Sequence, residues 1–244
     1  MNWKKTAFIA INIVLGTYVV LAMTIFNGPD EEQVCKDLDI NIEEGIVEGF
    51  LTPADVKHML SADALNPIGQ SVESINLRAI EDTLQSKELI EHAECYKGQD
   101  GSICIDIRQR IPVVRVKNDK GEDYYVDSHG KPMPRTDYSC NLIVATGHIT
   151  KPYAEKWLAP MANMVLSDAF WKNQIVQLNI RNDGSVEMVP RVGNHLVYLG
   201  QPVGIEKKLE RLRKFYRYGL NVAGWNKYSV ISVEYDNQIV CKRK

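Results

Sequence analysis

Residues 6–26, TAFIAINIVLGTYVVLAMTIF, are the feature that most limits how this chain can fold. They form a run of 21 residues without a charge, and Lys4 and Lys5 stand directly before it. A helix of this length reaches about 30 Å, which matches the hydrocarbon core of a bilayer. The run therefore predicts a transmembrane helix at 6–26. The two lysines predict a cytoplasmic stub at 1–5, with the rest of the chain on the far side of the membrane.

A cleaved signal peptide is the competing interpretation. The apolar region of a signal peptide is usually about 7–15 residues long and ends at small residues. Here the run is longer, and it leaves through Thr24-Ile25-Phe26-Asn27 with bulky side chains where small ones are needed. These differences favour a retained anchor. A buried core helix fits less well, because the run has no polar face.

Composition excludes several functional classes. The chain has 29 Lys and Arg against 31 Asp and Glu, and it has no basic block of the kind that binds nucleic acid. Its five cysteines are loosely spaced without a C-x-x-C pair, and its five histidines are scattered. We expect no metal site, no cofactor and no small-molecule substrate.

The region after the anchor reads as a compact β-α-α-β-β module. Thr52-Pro53-Ala54-Asp55 is a helix start, and Asn76 or Ser74 can cap a second helix. Alternating apolar residues predict the strands, and the two helices have apolar positions at helical spacing. The predicted elements are strand 34–42, a helix after Thr52, a helix around 77–84, and strands 90–96 and 103–107.

The last two strands of this module raise the possibility of a disulfide. If Gly98–Gly101 forms a four-residue loop, Lys97 lies opposite Ser102 and Cys95 lies opposite Cys104. A tight turn at Asp100-Gly101 would shift the register and separate the two thiols. Whether Cys35, Cys140 and Cys241 are paired stays open at this point.

Beyond residue 110 the pattern is mostly that of antiparallel strands. Hairpin turns are predicted at Asn118–Gly121 and at Asn182-Asp183-Gly184. Helices are predicted at 152–168 and 205–218, and a strictly alternating strand at Tyr228–Tyr235 leads into Gln238–Cys241. The fold class is therefore α+β, with one N-terminal helix, a small module and a larger β-rich domain that carries two helices.

No catalytic set stands out. The chain has no Gly-x-Ser-x-Gly elbow and no Ser-x-x-Lys motif, so we predict no catalytic residue and no enzyme. Asp127-Ser128-His129-Gly130 places three triad residue types side by side, but neighbours in one turn do not converge on a reacting atom, and a simple turn is favoured.

Three further patterns have both a structural and a functional interpretation, and the structural one is favoured in each case. Alternation makes one of Tyr124 and Tyr125 a core residue. Met161 and Met164 have the spacing of core residues on a helix. The predicted 205–218 helix has a basic face that fits a solvated surface better than an anion site; its residues are Lys207, Lys208, Arg211 and Lys214.

Several local motifs, in this order, resemble the FtsQ/DivIB family of bacterial cell-division proteins. Arg110–Val116 resembles the family's junction between its two extracytoplasmic domains, and Tyr124–Pro134 its hydrophobic-Val-Asp-x-x-Gly hairpin. Asn141–Gly147 is similar to its Leu-Pro-x-Leu-x-Gly strand, and Leu199-Gly200 together with Val230–Tyr235 to its C-terminal part. Two departures are the missing V-x-G-N after the anchor and Ser232-Val233-Glu234-Tyr235 in place of Asp-Leu-Arg-Tyr.

The resemblance implies a POTRA domain at 34–110, after a linker at 27–33, and the family's β domain at 111–244. It implies a non-enzymatic scaffold of the divisome in the bacterial inner membrane, with its domains in the periplasm at the division septum. FtsB-like and FtsL-like proteins would be its partners, linked through it to septal wall synthesis, and other division proteins would bind the POTRA domain.

The last strand is the expected partner site, because exposed strand edges accept a strand from another chain. The predicted partner-binding residues are Val230, Ser232, Val233, Glu234, Tyr235, Gln238 and Val240. Two alternative functions stay open. One is a different POTRA-bearing protein for envelope assembly or secretion, and the other is a membrane-anchored peptidase.

Overall fold

The computed structural model describes residues 3–26, 33–43, 51–135 and 142–244. It contains an N-terminal helix, a small domain with a three-stranded sheet and a large domain with a nine-stranded sheet. Residues 1–2 of the predicted stub, residues 27–32 of the predicted linker, and Cys140 and Asn141 lie outside the described residues.

Helix α1 runs from Trp3 to Phe26 and covers the predicted anchor. Between Ala7 and Met23 most of its side chains are exposed, among them Phe8 and Tyr18, both at 69%. Among the residues that the structure describes, no helix has both the length and the apolar character needed to cross a membrane.

The small domain has the predicted β-α-α-β-β order. Strand β3 lies in the centre of its sheet, parallel to β1 and antiparallel to β2. Thr52 and Asp55 form a reciprocal capping box at the start of α2, and Asn76, not Ser74, caps α3. The elements are β1 (Leu38–Ile42), α2 (Pro53–Ala62), α3 (Leu77–Gln85), β2 (Ile90–Lys97) and β3 (Ile103–Gln109).

The two helices cover one face of this sheet and form its core. The apolar face of α2 contributes Val56 and Leu60, and that of α3 contributes Ile80 and Leu84, all almost completely buried. They pack against alternate residues of β3, such as Ile105. The apolar residues at helical spacing on α2 and α3 and those at alternate positions on β3 thus form one buried layer.

The predicted pairing of Cys95 with Cys104 is wrong. Cys95 lies opposite Ile105, and Cys104 lies opposite Tyr96, so the two thiols are on opposite faces of the hairpin, and both are free. The loop has five residues, closed by a bond from Gly98 N to Ser102 O (2.9 Å). The Asp100 carboxylate supports it by accepting bonds from the Ser102 amide and hydroxyl. The loop has one residue more than expected, which shifts the register of β3 against β2 by one residue. Each β3 side chain therefore lies on the opposite face from the one predicted.

The large domain is a mixed sheet in the strand order β12-β11-β10-β9-β8-β7-β4-β5-β6. Five of its eight strand pairings are antiparallel, as in the predicted mostly antiparallel domain. The strands are β4 (Pro112–Asn118), β5 (Asp123–Asp127), β6 (Pro132–Met133), β7 (Ile143–Gly147), β8 (Ile175–Ile180), β9 (Val186–Pro190), β10 (Leu196–Gly200), β11 (Tyr228–Ser232) and β12 (Val240–Arg243).

Two helical segments pack on one face of this sheet, near the positions predicted from the sequence. Each contains a π-helical stretch, and α6 adds a short helix that the sequence analysis did not anticipate. The first segment comprises α4 (Lys151–Tyr153), the π-helix Ala154–Leu158 and α5 (Ala159–Ser167), followed by α6 (Ala169–Gln174). The second comprises α7 (Ile205–Lys214), the π-helix Phe215–Leu220 and α8 (Asn221–Ala223).

The core of the large domain lies between these helices and the sheet. Met161 is buried in it and Met164 packs against it, which confirms their structural interpretation. Tyr124 is partly buried against this core, and Tyr125 is buried in a separate cluster with Met133, so the two rings do not form an exposed aromatic pair. The prediction that the basic face of the 205–218 helix is fully solvated is wrong for Lys208, which is only 8% exposed.

Arg110 joins the two domains. Its guanidinium donates to the Asp127 carboxylate at the end of β5, with Nε–Oδ2 at 2.9 Å and Nη2–Oδ2 at 2.7 Å. It also donates to the carbonyl of Glu88 in the small domain and to those of Lys131 and Pro132 in the large one. The side chains of Arg110 and Asp127 are only 12% and 4% exposed, so the pair is shielded from water.

Apolar contacts lie beside this pair. Tyr125 and Met133 of the large domain are buried together, with Leu89 and Ile111 packed against them. The Arg110 amide also donates to the Leu89 carbonyl at 2.9 Å. The short connection between β3 and β4 is thus held on both sides, and the two domains are joined as one unit at this point.

Replacing Arg110 with Ala should destabilise the protein strongly, because Asp127 would be left as a buried carboxylate without its cation. We expect a loss of about 3–5 kcal/mol in the free energy of unfolding, measured by urea denaturation. Arg108→Ala is the matched control two residues away. Its ion pair with Glu91 is exposed, so a change within about 1 kcal/mol is expected. Equal effects of the two substitutions would contradict the role given to Arg110.

Candidate protein-interaction site

The C-terminal edge of the large sheet differs from the predicted edge in one respect. Strand β11 was expected to be outermost, but it is paired on both sides, parallel to β10 and antiparallel to β12. The chain turns back after β11 and adds β12, whose outer side has no neighbouring strand among the described residues. The edge that offers main-chain hydrogen bonds therefore belongs to Val240–Arg243.

The predicted partner-binding residues fall into three groups. Tyr235, Gln238 and Val240 are exposed, with Tyr235 at 56% and Val240 at 52%. The partly buried residues are Val230 and Ser232, which pair with Lys242 and Val240 in the β11–β12 ladder, and Glu234. Val233 is fully buried, so its side chain is a core residue and not a contact residue.

The turn that carries Tyr235 is held from the helix side by Arg211. Its Nη2 donates to the Val233 carbonyl at 2.8 Å, and its Nη1 lies 3.6 Å from the Asp236 carboxylate. Asn237 has a φ of 61°, a left-handed conformation that asparagine tolerates better than most residues. The exposed tyrosine therefore sits on a fixed turn.

Lys208 supports the neighbouring strand. Its ammonium donates to the Leu199 and Gln201 carbonyls, both at 2.8 Å, where β10 ends. Burial lowers the pKa of this ammonium from its ordinary value. Next to it, Gly200 has a φ of 69°, and Glu234 lies so close that a Cβ on this glycine would come within 2.7 Å of the Glu234 Cγ. The end of β10 and the segment after β11 are thus in close contact.

Sequence reasoning missed the charge of the outermost strand. Lys242, Arg243 and Lys244 follow Val240 on an exposed edge, and none of them forms a salt bridge described for this structure. The signal was visible as a run of basic residues at 242–244, but the run could not be placed on an edge without knowing the strand order.

A largely buried cluster of His195, Tyr216 and Trp225 packs beside β10 in the core of the large domain. His195 is buried, with its Nε2 2.9 Å from the Tyr216 hydroxyl, and the Trp225 ring packs against both residues. Burial lowers the pKa of His195 below its ordinary value of 6.5, and the nearby Lys244 acts in the same direction. Burial also raises the pKa of the Tyr216 hydroxyl.

The adjacent Asp127, Ser128 and His129 form a turn, as the favoured interpretation predicts. The Asp127 Oδ1 accepts bonds from the His129 and Lys131 amides at 3.0 and 2.8 Å, while Oδ2 is engaged by Arg110. Gly130 closes the turn with a φ of 85°. Both oxygens of the Asp127 carboxylate therefore accept structural hydrogen bonds. Among the described residues, no group of three or more His, Cys, Asp or Glu could hold a metal ion.

Comparison with known proteins gives two family matches. A model described as FtsQ/DivIB, C-terminal related, matches residues 111–242, and a model described as a POTRA-like domain matches residues 33–108. The first match covers the nine-stranded domain and the second covers the small domain. No curated protein matches the chain.

Stability should fall as the pH is lowered, because of His195. Burial disfavours the charged form of this imidazole in the folded protein and lowers its pKa, whereas the unfolded chain protonates it near pH 6.5, so acid favours unfolding. The contribution is fully present above this pH and is lost progressively below it. Between pH 7 and pH 5 the unfolding free energy of a His195→Gln variant should depend less on pH than that of the wild type. Parallel curves in urea denaturation would contradict this assignment.

Proposed function

The chain belongs to the FtsQ/DivIB family of bacterial cell-division proteins, and we propose that it works there as a non-enzymatic scaffold of the divisome. In this role it joins FtsB-like and FtsL-like proteins, and other division components, to septal wall synthesis. The observation that carries the proposal is the outer edge of β12, which has no neighbouring strand in the part of the chain that the structure describes and follows the exposed Tyr235.

Strand addition is the proposed binding mode. An extended segment of the FtsB-like partner pairs with β12 and satisfies the outward N–H and C=O groups of Val240–Arg243. The main chain supplies much of the affinity, and side chains at the edge set specificity. Tyr235 and Val240 offer apolar surface next to the new strand, and a large aromatic residue is a common centre of binding energy.

The charge of the edge favours a particular partner. Lys242, Arg243 and Lys244 place three positive charges beside the docking strand. Acidic side chains on the incoming segment would meet these cations, which speeds encounter and fixes register more than it raises affinity. We therefore propose an extended segment with acidic residues as the occupant of this edge.

The small domain is proposed as a second contact point for other division proteins. It is one POTRA-like unit, and it is joined to the large domain through the buried Arg110–Asp127 pair. A partner on the small domain and a partner on β12 would thus be held at a fixed distance from each other. That geometry is what a scaffold without catalytic residues can contribute.

Helix α1 is proposed as a retained anchor in the inner membrane, with the domains in the periplasm. Residues 6–26 carry no charge, α1 is helical from Trp3 to Phe26, and Lys4 and Lys5 favour a cytoplasmic N-terminus. Such an anchor would keep the small domain near the membrane, because this domain follows α1 directly in the chain. The β12 strand, at the C-terminal end of the large domain, would be less restricted to the membrane surface.

The partner site can be tested with Tyr235→Ala. Because this side chain is more than half exposed, the substitution should leave circular dichroism unchanged. It should weaken binding of the FtsB-like partner about tenfold, or by roughly 1–2 kcal/mol, in a titration with purified proteins. Tyr218→Ala is the control and should bind like the wild type, because Tyr218 is also an exposed tyrosine, at 68%, but lies on the helical side. A folded Tyr235→Ala variant with wild-type affinity would refute the assignment.

The anchor and the septal location can be tested together with a fluorescent protein fused to the N-terminus. We expect bands at midcell in dividing cells, and an intact fusion in the membrane fraction, because the helix is retained with its N-terminus inside. Cleavage of the fusion near residue 27 would contradict the anchor. Even fluorescence around the whole envelope would contradict a role at the septum.

A further inference from the structure

One of the two outer strands of the small domain, β2, is covered by side chains of helix α3. Strand β2 is at the edge of the three-stranded sheet, and in an antiparallel pair the N–H and C=O groups of every second residue point away from the neighbour. On β2 the outward groups include the Cys95 N–H and the Ala93 C=O. Both have partners on α3 and not on another strand.

Two side chains of α3 provide these partners. The Glu81 Oε1 accepts from the Cys95 amide at 2.8 Å, and the Gln85 Nε2 donates to the Ala93 carbonyl at 3.0 Å. Glu81 and Gln85 are four residues apart and therefore lie on the same side of α3. The helix is fixed in place because Ile80 and Leu84 are buried in the core. Glu81 and Gln85 thus act together as a clasp on the middle of the edge.

The two main-chain groups that the clasp covers, the Cys95 N–H and the Ala93 C=O, could instead bond to the same two groups of a second copy of β2. If a second copy of the chain lay antiparallel to β2 with Glu94 on the two-fold axis, Ala93 would lie opposite Cys95 of the second copy. The Cys95 amide of each copy would then donate to the Ala93 carbonyl of the other, which are the two groups that Glu81 and Gln85 now satisfy. The regular part of β2 that could pair in this way begins at His92, because the β2 ladder has a register shift between Ile90 and His92.

A second feature opposes this pairing. In the same arrangement the two copies of Glu94 would face each other across the axis, and this side chain is 67% exposed. Like charges directly opposite each other on paired strands are destabilising. Edge strands are commonly protected by helices or by charges that would meet in a pairing, and β2 has both.

We propose that the β2 edge is a self-association edge for a second copy of this chain, and that Glu81 and Gln85 hold it closed. The edge opens when both side chains leave the strand, and two copies then pair antiparallel about Glu94. The clasp keeps the small domain monomeric at this edge.

The test uses a cysteine on the proposed axis. Directly opposite residues on antiparallel strands bring their Cα atoms within disulfide range, so Glu94→Cys reports pairing at this register. The full chain in detergent is treated with a mild oxidant, and the rate of covalent dimer formation is measured on non-reducing gels. The wild type, with its five native cysteines, gives the background rate.

Opening the clasp with Glu81→Ala and Gln85→Ala should speed dimer formation roughly tenfold or more over Glu94→Cys alone, since two hydrogen bonds no longer compete. The matched control is Glu81→Gln with Glu94→Cys. It removes the charge but keeps an acceptor for the Cys95 amide, so its rate should stay near that of Glu94→Cys alone.

Equal rates with and without the clasp, in variants with native circular dichroism, would overturn the proposal. If the double substitution loses its fold, Gln85→Ala with Glu94→Cys decides the matter, because Gln85 is exposed and contributes only one of the two bonds. An intermediate rate supports the clasp, and a rate equal to that of Glu94→Cys alone overturns it.

Discussion

The ion pair between Arg110 and Asp127 is the interaction on which the arrangement of this molecule depends. One guanidinium reaches a carboxylate of the large domain and carbonyls of both domains, at the single point where the chain passes from one sheet to the other. Asp127 in turn closes the turn before β6 with its other oxygen. Losing either partner would leave a buried charge, so the contact is costly to break. The two domains are therefore coupled at this connection.

The two described sheets have four edge strands, β1, β2, β6 and β12, and three of them differ in how their outer sides are protected. Strand β6 is only two residues long and begins with Pro132, which has no N–H to offer. Strand β2 is covered by side chains of α3. Strand β12 is neither shortened nor covered, and its support from α7 through Arg211 holds the preceding turn in place. The proposed scaffold role uses the β12 edge, which follows the exposed Tyr235 in the chain and carries the exposed cations Lys242 and Arg243.

Much of the fold could be predicted from the sequence because its signals are local. The capping box at Thr52, the turn at Asn182-Asp183-Gly184 and the helical spacing around Met161 each depend on residues within one turn or helix. The failures involve register and strand order. One extra loop residue at Ser102 separated Cys95 from Cys104, and a final hairpin moved the edge from β11 to β12. Lys208 was misplaced because its ammonium finds two carbonyls that only the tertiary structure brings within reach.

Backbone hydrogen exchange at β12 tests the central claim most directly. If an FtsB-like segment adds to this edge, the outward amides among Val240–Arg243, about half of that strand, should become protected when the partner is added. The inward amides already bond to β11 and should change little. Protection that appears only on the small domain or on the helical face, with β12 exchanging as in the free protein, would contradict the account.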